Sequence, residues 1–215
     1  MPRGVPSGED GVSRLSARCK GPFMADPKGP LLRFETPNYI MRSLQEGDEN
    51  ETWTGWLADP QTAAMLNAQP VRATLKDLRG YIARFDRVTR HLFGIFEKAT
   101  GRMVGVRTCE IDKARSAYRV HLLIGVPEDR GQGARTETNK VTNDWMHEDC
   151  GLLHCEATVL STNERLIKSL MRNGWIVTGH SLKKSATGNA AVQLVEMRRH
   201  REIWRRRQRE AGGEA

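Results

Sequence analysis

The run from Leu122 to Arg135 holds the residue types of an anion cradle: apolar residues, then Pro127, then Gly131 and Gly133 ahead of Ala134. This pattern predicts a buried strand, a glycine-rich turn and the start of a helix. A helix start leaves backbone N–H groups unpaired, and those groups draw phosphate. Two common phosphate loops are excluded. No Gly-Lys-Ser/Thr follows the glycines, and the third glycine of a dinucleotide fingerprint is missing, with no clear βαβ unit beginning there. Asn163, which opens a later helix, is the second landmark.

Two side chains on neighbouring strands could move a proton. His121 has an imidazole whose ordinary pKa, about 6.5, suits deprotonation of an ammonium. Its alternative is a satisfied structural histidine. Glu156 could act as a base or be a salt-bridged strand residue. His180 and Ser181 are weaker candidates. His147, Cys150, His154 and Cys155 invite a zinc reading. Adjacent residues on a strand point to opposite faces, however, and no repeated Cys-x-x-Cys pair exists, so no metal is expected. With Cys19 and Cys109 the cysteines number four in 215 residues, which is no disulfide framework; a reducing cytosol is the expectation.

The elements that must position these groups follow from periodicity. A first strand centres on Tyr39–Arg42, and an acidic opening at Asp48 leads into a helix with Trp53, Trp56 and Leu57. Thr74 and Asp77 make a capping box ahead of a second helix with Leu75, Leu78, Tyr81, Ile82 and Phe85. Residues 91–97 and 103–110 read as a hairpin, and 118–126 as the strand feeding the glycine turn. A helix over 134–148 is more polar than one beside a sheet should be, and Cys150-Gly151 closes it. Then come a strand over 154–160, a helix from Asn163 with Leu166, Ile167, Leu170 and Met171, a stop at Gly174, and a last strand pair at 175–178 and 191–197 around a loop with Gly179 and Gly188. This order gives an α/β chain: a mixed sheet with helices on both faces.

Composition sets the outer bounds. At 24.2 kDa, with 38% hydrophobic and 28% charged residues, the chain fits one globular domain and is neither a membrane protein nor wholly disordered. No apolar run reaches the roughly 20 residues of a spanning helix. Residues 1–30 hold Gly or Pro at ten positions without apolar periodicity, which predicts a disordered leader, and Met24 is an alternative start. The net charge of +8 suits an anionic ligand, although much of it sits in the Arg-rich tail, residues 200–215. That tail is a solvated terminal helix or a contact for an acidic or nucleic-acid partner.

The run Val126–Arg135 resembles motif A of the GCN5-related N-acetyltransferases, Gln/Arg-x-x-Gly-x-Gly/Ala, with Arg130 and Gly133 in its first and fourth positions. The family's later Asn, followed by a Gly-aromatic pair, is matched by Asn163 and Gly174-Trp175. Phe34–Arg42 and Trp56–Pro60 look like the opening strand and the following helix of the ribosomal-protein-alanine N-acetyltransferase branch. The resemblance spans about residues 31–199. It implies a mostly antiparallel sheet of about seven strands, acetyl-CoA as cosubstrate, and an amine acceptor: a peptide or protein N-terminal amine, or a small molecule. It allows a homodimer.

By the same resemblance Leu123, Ile124 and Gly125 would form a bulged strand end that holds pantetheine and polarises the thioester carbonyl. Arg130, Gly131, Gln132, Gly133, Ala134 and Arg135 would wrap the diphosphate, and Asn163 would bond the pantetheine arm. Three positions depart from the family. Arg135 stands where Gly or Ala is usual, Leu170 where many members carry a Tyr acid, and Leu166 where some carry a Ser. A base found two residues beyond Glu156 in some relatives is Thr158 here. The expectation is a cytoplasmic acyl-CoA-dependent N-acetyltransferase; the alternative is a weak or inactive domain of the same fold serving binding or scaffolding.

Overall fold

The computed structural model of the chain describes residues 28–65, 68–184 and 191–212. Most of the expected leader and the loop around Gly188 lie outside them. Eight strands form one sheet: β1 (Arg33–Glu35), β2 (Tyr39–Ser43), β3 (Arg90–Glu97), β4 (Met103–Asp112), β5 (Ala117–Ile124), β6 (His154–Leu160), β7 (Ile176–Lys184) and β8 (Ala191–His200). Their spatial order is β1-β2-β3-β4-β5-β6-β8-β7, and every neighbouring pair is antiparallel except β5 with β6. The eighth strand arises because the first apolar stretch breaks at a turn. There Thr36 Oγ1 accepts from Tyr39 N (3.0 Å), and Thr36 N donates to Tyr39 O (2.9 Å).

One face is covered by α1 (Glu51–Ala58), α2 (Pro60–Met65) and α3 (Leu75–Ala83). Asn50 caps α1 through Trp53 N (2.9 Å), and the Thr74–Asp77 capping box is present on α3. Trp53, Trp56, Leu78 and Ile82 pack there on Leu92, Val106 and Leu123. The other face carries α4 (Ala134–Asp144), continued as a π turn over Trp145–Asp149, and α5 (Glu164–Arg172). Trp145, Met146, Leu166, Ile167 and Leu170 pack there with Met41, Phe93, Ile95, Cys109 and Tyr118.

The polar character of α4 has a structural cause. Its inward Thr138 and Thr142 accept from the buried Arg107 (2.9 and 3.1 Å), and its Asn143 accepts from Tyr118 Oη (2.6 Å) and Arg199 (2.8 Å). The Arg-rich stretch is less solvated than its composition suggests. It forms α6 (Arg201–Gly212), anchored by Trp204 Nε1 on Asp144 (3.0 Å), by Arg205 on Glu148 (2.7 Å), and by Arg207 donating to the Arg172 carbonyl. The Arg199 guanidinium lies over Trp204, 4.5 Å from the ring centre. Among the described residues no helix is long and apolar enough to cross a membrane.

Candidate active site

The parallel strands β5 and β6 pair only from Ala117–Arg119 to His154–Glu156 and then part. Gly125 N donates to Val104 O (3.0 Å), so in the alternating antiparallel ladder the odd-numbered residues of β5 turn their backbone groups to β4. Leu122 and Ile124 therefore turn theirs toward the gap. On the far side Ser161 N donates to Gln193 O (2.9 Å), which puts the odd residues of β6 toward β8 and leaves Thr158 facing the gap. The result is a slot edged by backbone donors and acceptors that suits an extended amide chain.

Of the three residues expected at the strand end, Ile124 alone turns its amide into this slot. The Leu123 side chain is buried among α1–α3, and the Gly125 amide is taken by Val104. The expected bulge there is absent, since β4 and β5 stay in register from Gly105↔Ile124 to Asp112↔Ala117. Close approach at Gly105 allows this, because a Cβ there would lie 2.4 Å from the Leu123 carbonyl oxygen.

Beyond the slot, Pro127–Asp129 makes one 3-10 turn, and Gly131 (φ +87°) and Gly133 (φ +94°) turn the chain into α4. Both values lie in the left-handed region that glycine adopts freely. The amides of residues 131–136 donate to no described residue, so they stand unpaired at the N-terminus of α4. Arg102 grips Asp129 with two bonds (2.8 and 2.6 Å), Tyr39 Oη donates to Gln132 O (2.9 Å), and Glu137 accepts from Thr36 Oγ1 (2.6 Å) and from Asn38 N (3.0 Å) and Nδ2 (2.7 Å). The cradle is thus held from three sides before any ligand arrives.

Arg130 directs its guanidinium to Thr62 and the Gly125 carbonyl over long contacts (3.5 and 3.4 Å), leaving its backbone to the turn. Ala134 takes the buried place at the helix start while Arg135 is exposed, so Arg135 does not crowd the interior. Asn163 caps α5 by accepting from Leu166 N (3.2 Å). Leu166 and Leu170 pack against the core and offer no proton.

The two proton-transfer candidates occupy different settings. Glu156 lies where β5 and β6 are still paired, bonded to Arg198 (2.7 Å), Arg115 (2.8 Å) and Arg119 (3.2 Å). Burial pushes its pKa up, but the three guanidiniums outweigh burial and leave it below the usual carboxylate range. His121 is exposed on the α1–α3 face, where the two strands part. Burial pushes the thiols of Cys109 and Cys155 up to about 12 and about 11, so neither is a poised nucleophile. Among the described residues no three His, Cys, Asp or Glu side chains are grouped to hold a metal ion.

Sequence reasoning missed Trp56, which lies flat on Gly125, as well as the Arg102–Asp129 and Tyr39–Gln132 ties and the buried Arg107. The polarity of α4 was the one sequence signal for Arg107; the others had none.

An acetyltransferase (GNAT) domain model matches residues 38–176, and the chain belongs to that family of N-acetyltransferases. Among solved structures, spermidine N-acetyltransferase from Vibrio cholerae, in complex with CoA and spermine, is 14% identical, with a TM-score of 0.66 over 78% of this chain and 98% of that one. Ribosomal-protein-S5-alanine acetyltransferase from Vibrio fischeri is 19% identical, with a TM-score of 0.64 over 80% and 98%. A Bacillus anthracis GNAT-family acetyltransferase is 15% identical, with a TM-score of 0.65 over 80% and 99%. No sequence among curated proteins matches. The likenesses support neither a nucleic-acid partner nor a homodimer.

Proposed function

We propose that the chain transfers acetyl from acetyl-CoA to a primary amine, with a peptide or protein N-terminal amine as the first choice of acceptor. The observation that carries this reading is the slot between β5 and β6 running into the unpaired amides of residues 131–136. The pantetheine arm pairs with the backbone of Leu122 and Ile124, and the diphosphate sits on the turn from Arg130 to Arg135 at the start of α4. Asn163 fixes the start of α5 beside the arm.

The amine nitrogen attacks the thioester carbon while the Ile124 amide faces the carbonyl oxygen. The C–S bond breaks, CoA leaves as the thiolate, and the proton lost by the nitrogen passes to His121 through water. Glu156, held low by three arginines, serves the closed end of the strand pair rather than the proton. The raised thiols favour direct transfer over an acyl-enzyme. The free, buried thiols at Cys109 and Cys155 support a cytosolic place of action.

Similarity to both a spermidine and a ribosomal-protein-S5-alanine acetyltransferase supports amines as the acceptor class. The test is thiol release from acetyl-CoA with a panel of N-terminal alanine peptides, spermidine and simple amines. Release with peptides above all others supports the reading. Binding of acetyl-CoA without release for any amine would turn it into a scaffold.

A further inference from the structure

We propose that Arg107 is a positioning residue whose buried positive charge is compensated by the diphosphate of bound acyl-CoA. This rests on the acyl-CoA reading above. Arg107 stands on β4 between Phe93 of β3 and Leu122 of β5, fully buried beneath α4. Its Nη2 donates to Thr138 Oγ1 (2.9 Å) and its Nη1 to Thr142 Oγ1 (3.1 Å). Those hydroxyls spend their own protons on the helix, donating to the Ala134 and Thr138 carbonyls (2.5 and 2.6 Å). The Nε is buried with no partner among the described residues.

No carboxylate pairs with this guanidinium among the described residues. Burial keeps the neighbouring thiols of Cys109 and Cys155 and the Tyr118 phenol neutral, and Arg135 repels the guanidinium. Burial pushes it down to about 10, which still leaves it charged at neutral pH. The same interior holds a second buried arginine, Arg199, on Asn143. A buried cation without an anion is costly, and an apolar side chain of similar volume in its place removes that cost.

The site supplies the missing anion. Thr138 lies one helical turn from Ala134, which sits amid the unpaired amides of residues 131–136, so a diphosphate there sits on the order of 10 Å from the guanidinium. At an effective dielectric of about 20, attraction over that distance changes affinity by about tenfold or more. Arg107 also fixes the height of α4 above the sheet through two hydroxyls on its inner face, which sets where those amides stand.

The experiment compares wild type with Arg107→Met, Arg107→Gln and Arg107→Lys by thermal unfolding without ligand and by calorimetric titration with CoA. The expected result is an Arg107→Met protein at least as stable as wild type that binds CoA about tenfold more weakly or worse. Arg107→Gln keeps a polar contact without charge and should lose the same affinity, whereas Arg107→Lys should recover most of it. A purely structural role predicts the opposite pattern: lower ligand-free stability with unchanged CoA affinity. Should Arg107→Met fail to fold, Arg107→Gln and Arg107→Lys decide: equal CoA affinities for those two overturn the proposal. If wild type itself binds no CoA, the acyl-CoA reading fails instead.

Discussion

At Gly125 the absence of one methyl group lets two elements meet. A Cβ there would lie 1.9 Å from Trp56 Cε2 and 2.3 Å from Trp56 Nε1, so α1 can press its indole onto the end of β5 only because the side chain is missing. Gly125→Ala is expected to destabilise by about 2–3 kcal/mol, measured by urea unfolding, because neither the strand end nor the ring has room to yield. His121 tests the chemistry at the same scale. His121→Gln should lower kcat/KM about a hundredfold, with acetyl-CoA affinity unchanged. An unaltered kcat/KM would remove His121 from the proton path. The landmarks legible in sequence here, Gly131, Gly133 and Asn163, are those whose signals are local: a positive φ or a helix cap. The ties that hold the cradle were not legible, since Arg102 reaches Asp129 across 27 positions and Tyr39 reaches Gln132 across 93. Nothing in the neighbours of either residue announces such a pairing.

Each helix that borders the slot depends on a small set of fixings. Asn163 holds the first turn of α5, so Asn163→Ala should cost about 1 kcal/mol of stability and loosen the side of the slot that α5 borders. Most elements were readable from periodicity and caps, as the agreement at β6 and at the Thr74–Asp77 capping box shows. In two helices the setting of the side chains was not legible, for opposite reasons. The polarity of α4 looked anomalous because its binding partners, Arg107 and Arg199, come from distant strands. The arginines of α6 looked solvated because composition cannot show Trp204 turned inward onto Asp144 and Arg199. Truncation after His200 would strip the Trp204 ring from the Arg199 guanidinium. It should therefore lower the midpoint of thermal unfolding by several degrees.

For the whole molecule the strand sequence predicts a mixed sheet, but not where its one parallel pair falls, and the slot exists because that pair is the one that splays. Pairing partners are set by which apolar faces meet, which a single sequence does not reveal. Stability of the assembled core carries a pH signature. Burial lowers the pKa of both His91 and His147 from 6.5 to about 4. Each therefore folds neutral, and the unfolded chain binds more protons between those values. Stability is fully present above pH 6.5 and falls as pH drops toward 4, by at most about 3 kcal/mol per histidine. Unfolding followed over pH 4–7 should show this slope, reduced in His147→Gln relative to its own value at pH 7.

The proposed reaction requires acetyl-CoA in the slot and on the amides beyond it. Thermal unfolding of the full chain with acetyl-CoA at a hundred times its dissociation constant should raise the midpoint by about 5–10 °C, with titration calorimetry giving one site per chain. A midpoint unmoved by millimolar acetyl-CoA, with no heat of binding, would contradict it.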